Sequence, residues 1–139
     1  MRKIYTLFLS LLISGTTFAQ QSPDEFLGYK AGERFTPHHR VVDYFEHLAS
    51  TLPNVQIKYY GESVEHRPLF VAIVSSPENI QNLDQIRTDN LKRTGMLEGS
   101  PSTNVAINWM QYNVHGNEAV ATEAAMMTFW EVVNPNNSE

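Results

Sequence analysis

No cysteine occurs anywhere in the 139 residues. That excludes a disulfide-stapled miniprotein, a structural zinc held by thiolates, a cysteine nucleophile and a lipid anchor attached through cysteine. Stability must therefore come from an ordinary packed core, and 42% hydrophobic with 11% aromatic residues supply the material for one modest domain. Positive charge is scarce as well: 10 Lys+Arg stand against 15 Asp+Glu, a formal net charge of −5. Residues 1–19 hold two of the bases and no acid, so residues 20–139 carry 8 bases, 15 acids and −7. Nucleic acid and anionic membrane surfaces both need clustered positive charge, so neither is expected as a partner. The acids are scattered along the chain, which marks a solvated surface and not an acidic tail. No Gly-rich phosphate loop, Gly-x-Ser-x-Gly elbow, internal repeat or interdomain linker is present.

Long hydrophobic runs are missing too. The longest mainly apolar run, Ile4 to Ile13, falls short of the roughly 20 residues that span a bilayer. With Arg2 and Lys3 before it and Thr17-Phe18-Ala19 after it, this run reads as a signal peptide, residues 1–19, cleaved after Ala19. The expected destination is the periplasm or the exterior, with no membrane partner after cleavage.

The remainder gives a succession of elements. Residues 20–35, polar and broken by Pro23, Gly28 and Gly32, predict an arm with little regular structure. Thr36-Pro37 reads as a helix start, with threonine as N-cap and proline at the first helical position. Val41, Phe45, Leu48 and Leu52 then fall on one face, and Pro53-Asn54 ends the helix. Val55 to Tyr60 alternates as a half-wet strand, while Leu69 to Val74 is continuously apolar, as in a strand covered on both faces. The short loop Gly61 to Pro68 joins them as an antiparallel pair. Ser76-Pro77 starts a second helix, and Gly95 to Thr103 is a loop. Val105 to Met110 reads as a buried strand and Ala119 to Val133 as a buried helix. Helix, strand, strand, helix, strand, helix predicts an α/β domain with a mixed sheet.

Chemistry concentrates where the last strand meets the last helix. His115 and Glu118 flank the turn Gly116-Asn117, where loops on a rigid scaffold commonly approach a solute. Imidazole nitrogen and carboxylate oxygen are both good zinc donors, and the turn allows them to converge. The alternative is a Glu118 that serves only as an acid in the first turn of a helix, favoured by the macrodipole. Other histidines carry less. His38 and His39 are adjacent on a helix, diverge by about 100° and cannot share a metal. His47 lies four residues after Asp43 as an expected exposed pair, and His66 sits in the hairpin loop. Met126-Met127, Phe129 and Trp130 read as core packing.

The run Tyr112-Asn113-Val114-His115-Gly116-Asn117-Glu118 resembles the first metal-binding motif of the zinc carboxypeptidases related to carboxypeptidase A. Phe26-Leu27-Gly28-Tyr29, Gly61-Glu62-Ser63 with Arg67-Pro68-Leu69, and Ser76-Pro77-Glu78-Asn79-Ile80 are similar to bacterial members. The likeness covers about residues 22–133. It implies a mixed β-sheet sandwiched by helices, of which residues 20–139 would form the N-terminal portion. It further implies Zn2+ bound through His115 and Glu118, a peptide or protein substrate, and hydrolysis of C-terminal peptide bonds by a zinc-activated water. The third ligand, the catalytic glutamate and the arginines that clamp the substrate carboxylate would all lie downstream of Glu139, so no catalytic residue maps onto this chain. Two neighbouring functions stay open: a cell-wall peptide amidase of the same family, and a non-catalytic exported binding domain derived from the same fold.

Overall fold

The computed structural model describes residues 20–134; the expected signal peptide and its cleavage site lie outside the described residues. Five helices and one hairpin follow in the order α1 (Pro23–Leu27), α2 (His38–Thr51), β1 (Val55–Glu62), β2 (Pro68–Val74), α3 (Pro77–Gln81), α4 (Leu83–Arg93) and α5 (Val120–Val133). Among the described residues, no helix is long and apolar enough to cross a membrane.

The core is a contact of three elements. Helix α2 supplies Val41, Tyr44, Phe45 and Leu48, β1 supplies Val55, and α5 supplies Met126 and Val133. The spacing of Val41, Phe45 and Leu48 placed this face correctly, and Tyr44 widens it. Phe45 sits between Phe70 of β2 and Phe129 of α5, with ring centroids 5.3 and 4.9 Å away and tilted geometry. Such pairs contribute about 0.5–1.5 kcal/mol beyond their area burial. Met126 is fully buried, as expected, whereas Met127 faces solvent.

The hairpin is antiparallel, from Val55↔Val74 to Glu62↔Pro68, with an irregularity between Tyr59 and Gly61. Its three-residue turn closes through the Ser63 amide on the Arg67 carbonyl and the His66 amide on the Ser63 carbonyl. His66 takes the left-handed position, φ 58°, which a three-residue hairpin loop requires. Ser76 caps α3 through its hydroxyl on the Asn79 amide, with Pro77 at the first position. Asn82 then splits the expected single helix into α3 and α4.

Four expectations need correction. Residues 20–35 do contain regular structure: Ser22 and Glu25 form a reciprocal capping box around α1, an arrangement that satisfies two free amides at once. Thr36 is not the cap of α2. Pro37 holds that place without a side-chain bond, because the Thr36 hydroxyl is buried and committed to Glu123. His47 forms no pair with Asp43; its ring lies 5.3 Å from that of Phe26. Finally, residues 105–110 form no strand. Ile107, Trp109 and Met110 are 52%, 65% and 52% exposed. A strand is held by a neighbour's amides and carbonyls, and among the described residues nothing pairs with this segment. The sheet is therefore two-stranded and antiparallel, with helices packed on it, and no mixed sheet is present among the described residues.

Candidate metal centre

Helix α5 carries the motif at its N-terminal end. Its own position is set by Met126 and Val133 in the core and by Glu123, a buried carboxylate one turn into the helix. Glu123 accepts from the Gly32 amide at 2.6 Å and from the Thr36 hydroxyl at 2.7 Å. Because Thr36 spends its single proton on Glu123, the Tyr29 phenol 2.9 Å away must donate to the Thr36 oxygen. A relay of three side chains thus ties the arm 29–36 to α5. The sequence alone did not single out Glu123, one of two acids in a mainly apolar helix.

A second buried carboxylate steadies the approach to the motif. Asp89 of α4 is fully buried and accepts from the Ser102 hydroxyl and the Thr103 amide, each at 2.8 Å. Burial pushes its carboxyl up, but hydrogen bonds from Ser102, Gln85 and Thr103 outweigh this and hold it well below the usual carboxylate range. Arg93 adds bonds to the carbonyls of Thr103 and Val105, at 2.6 and 3.4 Å. The chain is thereby fixed where it leaves α4 and again where it enters α5.

Between these anchors, the Glu118 amide donates to the His115 carbonyl at 3.0 Å, closing a turn over Gly116 and Asn117. The Ala121 amide donates to the Glu118 carbonyl at 3.1 Å and begins the helical pattern. This turn brings the two side chains together: His115 Nδ1 lies 3.1 Å from Glu118 Oε1. An ionised carboxylate can only accept, so Nδ1 carries the ring proton in this arrangement. Both side chains are mostly solvent-exposed, and Nε2 has no partner among the described residues.

The pair passes a test of fit for zinc as far as two donors can. A gap of 3.1 Å is shorter than two zinc bonds of about 2.0–2.2 Å laid end to end, so one ion can touch both atoms. The donor chemistry also suits zinc. Among the described residues, however, no group of three or more His, Cys, Asp or Glu gathers that could hold a metal ion. His38 is turned to the Pro68 carbonyl at 3.0 Å, and His66 pairs with Glu62 at 3.3 Å in the exposed hairpin loop. At His115 and Glu118 the described residues bring together two donors and no third.

No curated protein and no solved structure matches the chain. A family model does: that of the zinc carboxypeptidases, over residues 41–139. The match takes in all but the first three residues of α2, the hairpin, α4 and the whole His115–Glu118 turn, and on that extent the chain belongs to the zinc carboxypeptidase family.

Proposed function

We propose that this chain is the part of a secreted zinc metallocarboxypeptidase that supplies two of the metal's protein ligands, His115 and Glu118. The observation that carries the reading is the 3.1 Å approach of Nδ1 and Oε1 at the head of α5, in a chain of the zinc carboxypeptidase family. Zinc, when bound, supplies a polarised carbonyl and a water of lowered pKa, which is what peptide-bond hydrolysis demands. The chain's own residues hold and aim. His115 Nδ1 and Glu118 Oε1 would hold the ion, and the turn over Gly116 and Asn117 presets their separation. Substrate would be a peptide with a free C-terminus outside the cytoplasm, reached after cleavage at Ala19.

Hydrolysis also requires a third ligand and a carboxylate base. By itself, then, the 139-residue chain should bind Zn2+ weakly and turn over no peptide. The two-donor count favours a second reading to the same degree, an exported domain that keeps the turn without catalysis. Calorimetry of Zn2+ into the chain, beside a peptidase assay, tests this. Micromolar or weaker binding that vanishes in His115→Ala is expected; nanomolar affinity, or turnover abolished by a chelator, would contradict the two-ligand account.

A further inference from the structure

The residue two places before His115 stands out on backbone grounds. Asn113 has φ 56°, and among the described residues the only other non-glycine with positive φ is His66 in the hairpin turn. Left-handed backbone crowds Cβ against the following carbonyl, and asparagine is one of the few side chains that tolerates it. This conformation falls at a particular place: it bends the chain out of the irregular run 104–112 and into the turn that carries the motif. The side chain is used as well. The Thr122 hydroxyl, in the first turn of α5, donates to Asn113 Oδ1 at 3.5 Å. The segment 113–122 is consequently closed twice, by Asn113 with Thr122 at its base and by His115 with Glu118 inside it.

We infer that Asn113 is a positioning residue for the His115–Glu118 pair: its left-handed backbone and its contact with Thr122 set the direction from which the imidazole meets the carboxylate. The inference rests on the zinc-ligand reading for its purpose, but its geometry stands apart from any metal. Asn113 is itself exposed and belongs to no core contact, so its replacement should leave the fold intact and act locally. A β-branched residue is the least tolerant of this φ, and glycine the most.

The test compares Asn113→Val, Asn113→Gly and Thr122→Val in the full 139-residue chain. Long-range 1H–15N spectra of the His115 ring, assigned with His115→Gln, report which nitrogen holds the proton, and a Zn2+ titration reports affinity at the same resonances. The parent chain and Asn113→Gly should both show Nδ1–H, with zinc affinities within about threefold of each other. Asn113→Val should lose the Nδ1–H signature and bind Zn2+ about tenfold more weakly, with an unchanged urea midpoint. Thr122→Val should weaken binding about threefold. If Asn113→Val unfolds the chain, Asn113→Ala carries the same comparison. An Asn113→Val chain with the parent's ring tautomer and zinc affinity overturns the inference. Zinc that leaves the parent's His115 resonances unmoved defeats the ligand reading instead, and the tautomer comparison then decides on Asn113 alone: loss in valine with rescue by glycine upholds it, and no change overturns it.

Discussion

Replacing Glu123 by alanine removes the acceptor of two short bonds, 2.6 Å from the Gly32 amide and 2.7 Å from the Thr36 hydroxyl. Hydrogen bonds to a charged partner contribute about 1.5–3 kcal/mol each, which bounds the loss at about 6 kcal/mol. The actual figure should be lower. Gly32 is exposed, so water can reach its amide, whereas Thr36 is buried and keeps only Tyr29 as a partner. Counting the Thr36 bond in full and the Gly32 bond in small part gives about 3 kcal/mol. Against a total of about 5–15 kcal/mol for a domain, that is a large share. Urea unfolding followed by far-ultraviolet circular dichroism measures it. With a urea dependence of about 1–3 kcal/mol per molar, the midpoint should fall by about 1–3 M. Glu123→Gln should fall between the two, since its side chain keeps one carbonyl acceptor but loses the charge and the second acceptor oxygen. Hydrogen exchange adds a local check, because the Gly32 amide should lose protection in both variants. A midpoint for Glu123→Ala within about 0.3 M of the parent would refute the claim that this carboxylate ties arm 29–36 to α5.

Other consequences are as direct. Asp89 has its carboxyl held below the ordinary value; the folded state therefore binds its proton less readily than the unfolded chain. Its contribution is fully present above the unfolded pKa of about 4 and is lost as the pH falls below it, so Asp89→Asn should flatten the acid limb of stability measured from pH 6 to 2. The Tyr59 phenol donates to Glu46 at 2.5 Å, and that bond, with smaller help from burial and nearby carboxylates, pushes its pKa up to about 12; absorbance titration should show this phenol ionising late, and Glu46→Gln should bring it back toward about 10. Trp109 is 65% exposed, so a Trp130→Phe chain should emit at long wavelength and be readily quenched by acrylamide, whereas blue-shifted, protected emission would mean that residues 105–110 are covered.

The parts of this fold that could be read from the sequence are those set by local chemistry. The α2 face follows from Val41, Phe45 and Leu48 at helical spacing, the hairpin from two apolar runs around a short polar loop, and the α3 cap from Ser76-Pro77. Residues 105–110 show the converse. Their apolar run expresses a demand for burial and for pairing, but neither can be met locally, and among the described residues no partner strand meets them. Thr36 misled for a related reason: a hydroxyl beside proline suits an N-cap, yet this one donates to a buried carboxylate 87 positions away and accepts from Tyr29. At the candidate site, residue types and spacing pointed to His115 and Glu118, and the turn over Gly116-Asn117 does bring them together. Glu123 and Asn113 were not legible, since one acts through tertiary contacts and the other through a backbone angle.

The central claim is that His115 and Glu118 act on one metal ion as a pair. A double-substitution cycle on Zn2+ affinity in the full chain tests it most directly, using His115→Ala, Glu118→Ala and both together, with binding read from amide shifts in residues 113–122. If one ion touches both donors, each single change should remove most of the binding and the double change should add little, because two halves of a shared site are not independent. Losses that simply add, or a single variant that binds like the parent, would contradict the account.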